Sequence, residues 1–88
     1  MSLSQDARRE VALILLHLDI ELYKILAKEI KTSKVEEYMD RVRRYIFALC
    51  HVLGIENEIA GIIGAPTEAV SVACRNAYEA IRKELFEK

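Results

Sequence analysis

The sequence has little proline and glycine, with one Pro and three Gly in 88 residues. Such scarcity disfavours a turn-rich β fold and favours long, uninterrupted helices. A chain of this length forms one domain at most. We therefore predict a single all-α domain spanning residues 1–88.

An excess of charge of either sign is also missing. Thirteen basic residues stand against 14 acidic ones, for a net charge of −1. Proteins that hold phosphates over a wide surface are usually basic, so any contact with DNA has to come from a local patch. The longest apolar run, Val11 to Leu16, is far shorter than the roughly 20 residues that span a bilayer. The sequence thus predicts a soluble protein that does not contact a membrane.

Cysteine is scarce as well. Cys50 and Cys74 each lie inside a predicted helix among apolar neighbours, which is typical of reduced core residues in a cytoplasmic protein. His51 follows Cys50, but adjacent helical residues point about 100° apart, so one metal ion cannot readily bind both. The sequence contains no glycine-rich phosphate loop, metalloprotease pair or nucleophile elbow. We expect no enzymatic activity, metal or cofactor.

Capping signals divide the first half of the chain into two helices. Ser4 is a suitable N-cap, and we expect its helix to extend over residues 4–31. Ser33-Lys34-Val35-Glu36 has the pattern of a capping box and opens a second helix, which Gly54 ends. The residues expected on the inner face of this helix are Val35, Tyr38, Met39, Val42, Ile46, Leu49 and Leu53.

The remaining residues predict two further helices, so that residues 33–88 form a second unit after the N-terminal helix. The third helix is expected over Glu56 to Ile63, and Pro66 suits the first position of the fourth, which ends near Phe86. The residues expected to face inward on the fourth helix are Val70, Ala73, Cys74, Ala77, Ile81 and Leu85.

The first helix is apolar around most of its circumference. The six residues from Val11 to Leu16 are all apolar and cannot all face one core. Either a four-helix bundle wraps the helix or a second copy of the chain covers it; we favour the homodimer. The predicted interface consists of Val11, Leu13, Ile14, Leu15, Leu16, Leu18 and Leu22.

Three residues at fixed spacing predict a helix-turn-helix in the C-terminal half. Ala60 is small where the two helices meet, Gly64 tolerates a positive φ four positions later, and Val70 can reach the core after six more. The other apolar contacts are expected from Ile59, Ile63 and Ala73.

These residues belong to a longer pattern, which reads Gly54-x3-Glu58-Ile59-Ala60-x3-Gly64-Ala65-Pro66-x3-Val70-x6-Ala77-x3-Ile81-Arg82. The pattern resembles region 4 of sigma-70-type factors, especially the extracytoplasmic-function group, and the related LuxR-type helix-turn-helix. The resemblance covers residues from about 43 to 88. It implies a DNA-binding transcriptional regulator that stands alone, because no segment here resembles the other conserved regions of a sigma factor.

In that family the fourth helix would enter the major groove of double-stranded DNA, and dimers bind half-sites about 34 Å apart. The residues that would face DNA are Thr67, Glu68, Ser71, Val72, Arg75, Asn76, Arg82 and Lys83. The family usually presents cations in the first two turns, whereas here the first cation is Arg75 and Val72 is apolar. An alternative therefore stays open: a protein-interaction module, for instance on another component of the transcription machinery, that keeps the helix-turn-helix geometry without binding DNA.

Overall fold

Four helices make up the part of the chain that the computed structural model describes, residues 4–86. They are α1 (Gln5–Ala27), α2 (Ser33–Leu53), α3 (Glu56–Ile63) and α4 (Thr67–Phe86). No strand occurs within residues 4–86. The all-α prediction is confirmed; the ends of the predicted domain, residues 1–3 and 87–88, lie outside the described range.

The two ends of α1 have different determinants. The Ser4 side chain accepts a hydrogen bond from the Ala7 N–H at 3.1 Å, as predicted for an N-cap. The helix ends at Ala27 and does not reach Lys31. Instead, Lys31 Nζ donates to the carbonyl oxygen of Ala27 at 2.6 Å and lies 3.4 Å from that of Leu26. The lysine therefore satisfies last-turn carbonyls from outside the helix.

The N-cap of α2 lies one residue earlier than the sequence predicted. Thr32 has an extended backbone and its Oγ1 accepts from the Val35 N–H at 3.2 Å. Ser33 is already helical, so the capping box from Ser33 to Glu36 is wrong. Thr32 and Ser33 offer the same hydroxyl chemistry, and only the backbone geometry selects one of them.

Helix α2 lies between α1 and α4. α1 runs antiparallel to α2: Arg9 Nη1 donates to the Leu53 carbonyl oxygen at 3.0 Å, and Arg43 Nη2 donates to the Tyr23 hydroxyl at 2.9 Å. Within the described residues no Cα atom of α1 lies within 8 Å of one in α4, and α3 packs mainly on α4. The domain measures 42 × 32 × 24 Å, so its short dimension is about two helix diameters.

Helix α4 is also antiparallel to α2. Arg44 near the middle of α2 lies 3.7 Å from Glu84 near the end of α4. The rings of His51 and Tyr78, closer to the α3 side, are 5.0 Å apart. The N-terminal end of α4 consequently lies at the same end of the domain as α3.

The core is small and is formed by side chains from all four helices. Its buried residues are Ala12, Leu16, Cys50, Leu53, Ala60, Val70 and Cys74. Both cysteines are free thiols with no exposed surface, which confirms the prediction of reduced core residues.

Several residues predicted to face inward are exposed. On α4, Ala73 and Leu85 are at the surface, with Leu85 63% exposed, because only the face of Val70, Cys74 and Ala77 meets α2. Tyr38 on α2 is exposed beside α1. In each case the residue lies at the border of the apolar arc, where packing decides which side is covered.

Candidate functional site

The turn between α3 and α4 has a left-handed glycine at its start. Gly64 has φ 70° and ψ 28°, and its N–H donates to the Ala60 carbonyl oxygen. The Ala65 N–H donates to the same oxygen at 3.1 Å. A residue with a Cβ would be strained at this φ, so the prediction that Gly64 supplies a positive φ is confirmed.

Most of the inner residues of this α3–α4 unit lie where the sequence placed them. Ala60 and Val70 are buried, and Ile59 is half-buried. Ile63, the last residue of α3, is 57% exposed, so the prediction that it completes the core is wrong. Pro66 immediately precedes α4, and its carbonyl oxygen accepts from the Val70 N–H at 3.2 Å.

The outer face of α4 is exposed along its whole length. All eight residues predicted to face DNA are at the surface: Thr67, Glu68, Ser71, Val72, Arg75, Asn76, Arg82 and Lys83. Helical spacing places Glu68, Val72, Arg75, Glu79 and Arg82 on one stripe, since they follow each other at steps of four and three residues. The stripe lies opposite the side chains that α4 packs on α2.

The charges on this stripe alternate in sign. Arg75, Arg82 and Lys83 form no salt bridge with any residue in the described range. Glu68 and Glu79 lie among them, so the face has three cations and two carboxylates. Sequence reasoning missed Glu79, although its position four residues after Arg75 places it on the same face. The face is weakly basic and is not a continuous positive strip.

A second exposed surface lies on α1. Six aliphatic side chains, each between 44 and 58% exposed, form what we call the α1 stripe: Val11, Ile14, Leu15, Leu18, Leu22 and Ile25. Ile25 extends the predicted interface by one turn. No other helix in residues 4–86 covers this stripe.

Two residues of the predicted dimer interface do not belong to the α1 stripe. Leu16 is buried in the core, where it packs with Ala12 against α2, so it is not available to a second copy. Leu13 is exposed, but it lies about 160° around the helix from Leu15 and faces the opposite side. The prediction is wrong for Leu16, because the sequence does not reveal which part of an apolar circumference meets α2; for Leu13 it stays a prediction.

The α1 stripe adjoins a groove between α1 and α2 with a volume of about 430 Å³. The groove is lined by Asp19, Leu22, Leu26, Tyr38, Arg41, Val42 and Tyr45. Burial raises the pKa of the Asp19 carboxyl above its ordinary value. Sequence reasoning missed this groove, since its two walls come from segments about 20 residues apart in the chain.

The opposite side of the α1–α2 hairpin is held by polar contacts. Arg43 donates to the Tyr23 hydroxyl and to Asp40 Oδ1, both at 2.9 Å, and its guanidinium carbon lies 5.6 Å from the centre of the Tyr23 ring. The hydrogen bond to Tyr23 is the main cause of the raised pKa of Arg43. These contacts tie the two helices together and leave the groove side open.

Neither a candidate metal site nor a membrane-spanning helix occurs in the described residues. Nowhere in residues 4–86 do three His, Cys, Asp or Glu side chains come together in a way that could hold a metal ion. Among these helices, none combines the length and the apolar character needed to cross a bilayer.

Comparison with known proteins returned no match: models of protein families, curated proteins and solved structures were all searched.

Proposed function

We propose that this chain is a homodimeric DNA-binding regulator in which α3 and α4 form a helix-turn-helix and α4 is the recognition helix. One observation carries the proposal. Because α2 separates α1 from α4, the polar outer face of α4 and the apolar α1 stripe lie at different edges of the domain and are both uncovered. One edge is then available for DNA and the other for a second copy.

The turn supports the helix-turn-helix interpretation. The buried Ala60, the left-handed Gly64 and the buried Val70 occur at the spacing that the resemblance to sigma region 4 requires. This geometry favours an α4 held firmly by its inner face while its outer face stays free.

The exposed side chains supply groups for both kinds of DNA contact. Arg75 suits bidentate hydrogen bonding to guanine, Asn76 suits adenine, and the Val72 methyl groups suit contact with thymine. Arg82 and Lys83, nearer the end of α4, suit phosphates. Glu68 accepts hydrogen bonds only, so its match in the major groove is the amino group of cytosine.

The dimensions of the domain are compatible with a dimer on DNA. Packed helices are 8–10 Å apart, and five such intervals separate the two α4 helices when two domains join through α1, so these helices would lie at most roughly 40–50 Å apart. The spacing of about 34 Å between successive half-sites on one face of DNA is within this limit.

The proposal is tested by removing single cations and measuring duplex binding at low and moderate salt. Arg75→Ala should cost about 1–3 kcal/mol of binding free energy and relax specificity, whereas Arg82→Ala should lower the log–log salt slope by about one. Lys24→Ala removes the same charge from α1, far from α4, and should change neither quantity. No binding to a randomised duplex pool at low salt, or an equal loss in the Lys24 variant, would refute the proposal.

A second function, docking of another protein on α4, is favoured by the apolar surface at this end of the domain. Val72 is 47% exposed on the outer face of α4 near its N-terminal end, and Ile62 on α3 is 79% exposed. Val72→Lys separates the two functions. The added cation should strengthen DNA binding, whereas it should abolish docking of an apolar partner surface.

A further inference from the structure

The α1 stripe has the spacing of a coiled-coil seam. Val11, Leu15, Leu18, Leu22 and Ile25 follow each other at steps of four, three, four and three residues. This repeat of 3.5 residues keeps the side chains in line along the helix, so that they pack against another helix over several turns. No helix in residues 4–86 occupies that position.

The seam continues into the groove between α1 and α2. Leu22 belongs to both, and Tyr38 and Tyr45 form the far wall of the groove. The uncovered apolar surface is therefore concave and two helices wide. Such a surface is shaped to receive a helix and not an extended chain.

The charged residues of the groove are complementary to each other. Asp19 and Arg41 both line the groove, yet neither forms a salt bridge within the described range. A two-fold axis through this level would bring Asp19 of one copy beside Arg41 of the other, and the same contact would form a second time by symmetry. A second copy of this chain therefore supplies the opposite charge to both Asp19 and Arg41.

We propose that two copies of the chain dock α1 into each other's α1–α2 groove and form an antiparallel four-helix bundle, with Asp19 of each copy paired to Arg41 of the other. The proposal specifies the dimer on which the proposed function rests, but it does not depend on DNA binding. The α1 stripe exposes on the order of 500 Å² of apolar surface, at the upper end of what monomers expose. With the tyrosines and Leu26 of the groove, the surface approaches the roughly 800 Å² per partner of a stable interface.

A charge-swap experiment tests the pairing between copies. Asp19→Arg alone places two guanidinium groups together at both contacts of the dimer, and Arg41→Asp alone places two carboxylates together at both. Each single variant should dimerise at least about ten-fold more weakly than the wild type in sedimentation equilibrium. An equal mixture of the two should recover wild-type affinity to within about three-fold. In the heterodimer, one contact joins the original Arg41 of one chain to the original Asp19 of the other. The second contact joins the two substituted side chains, which again have opposite charges.

The controls separate folding from association. Circular dichroism should show wild-type helix content for both charge variants, since Arg41 is exposed and Asp19 is only half-buried. Leu18→Asp, on the seam, should give monomers, whereas Leu13→Ala, on the opposite side of α1, should leave the dimer intact.

Each outcome has a defined meaning. A wild-type chain that stays monomeric up to about 1 mM overturns both the bundle and the dimer of the proposed function. A dimer whose affinity the single variants do not change, or a mixture that shows no recovery, overturns the bundle alone. Loss of DNA binding without loss of the dimer bears only on the proposed function.

Discussion

At the residue scale, two fully buried cysteines lie where α2 meets α4. Cys50 and Cys74 have no exposed surface, and Ala77 is also buried on this side of α4. Burial is the main reason that the pKa of the Cys50 thiol rises from 9.0 to about 11, and the nearby Cys74 adds to the rise. Both thiols therefore remain neutral and behave as small apolar side chains.

We expect neither thiol to react with a thiol reagent at about pH 8 until the chain unfolds. Because the folded state holds the Cys50 proton more tightly, this stabilising contribution is complete below the unfolded pKa of 9.0 and is lost as the pH rises through about 11. The free energy of unfolding should thus fall more steeply between these pH values than in a Cys50→Ala variant. Denaturant titrations at both pH values measure the free energy of unfolding. An equal fall in the wild type and in the Cys50→Ala variant would contradict the prediction.

Gly61 inside α3 and Gly64 directly after it differ in backbone conformation. Gly64 has a left-handed φ of 70°, whereas Gly61 is an ordinary helical residue, and neither has a neighbour that a Cβ would meet. The difference between them is therefore conformational and not steric.

Gly64→Ala should destabilise the chain by about 1–2 kcal/mol, because an L-residue is strained at positive φ. The matched variant Gly61→Ala should stabilise it by about 0.5–1 kcal/mol, since alanine is the better helix former. Thermal and denaturant unfolding of the two variants measure these changes. If both substitutions changed the stability equally, the left-handed conformation of Gly64 would be contradicted.

At the element scale, side-chain hydroxyls cap the N-termini of α1 and α2, and glycines end α2 and α3. The N-cap of α2 is the informative case, because Thr32 and Ser33 are adjacent and both suit that position. The structure assigns the cap to Thr32, whose hydroxyl meets the Val35 N–H.

Removing the two hydroxyls in turn should therefore have unequal effects. Thr32→Ala should cost about 0.5–2 kcal/mol, because it leaves a first-turn N–H without its partner. Ser33→Ala should be neutral or slightly stabilising, since alanine is favoured inside a helix. A chemical denaturation curve of each variant decides between them; a larger loss from Ser33→Ala would restore the cap that the sequence predicted.

At the scale of the whole molecule, three long helices form an open layer that leaves much apolar surface uncovered. Helix α1 contacts only α2, so the α1 stripe gains no partner within residues 4–86. A small domain with so little enclosed core has a thin margin of stability. Association of two copies would bury this surface and stabilise the folded state by mass action.

The melting temperature should accordingly rise with chain concentration, because a partner subunit binds only the folded chain. Leu18→Asp should melt at a lower temperature that does not depend on concentration, whereas Leu13→Ala should retain the dependence. Melting curves over a hundred-fold range of concentration measure it. A wild-type melting temperature that stays constant over the range would show that the single domain is stable alone.

Local features of this protein could be predicted from the sequence by itself. These features are the bounds of α3, the left-handed conformation of Gly54 and Gly64, and the burial of the two cysteines. They depend on nearby residues and on helical periodicity, and not on the direction in which the helices pack. The same holds for the outer face of α4, whose residues lie opposite an inner face that the pattern identifies. Whether that face binds DNA stays a proposal.

Only the tertiary structure decided which apolar residues of α1 are uncovered and what lies beside them. Leu15 and Leu16 have the same side chain, but one is exposed and the other is buried. Where a helix is apolar around most of its circumference, periodicity gives the angle between two residues but not the direction of the neighbouring helix. The groove of Asp19 and Arg41 depends on the same packing direction, because it exists only once α1 has docked on α2.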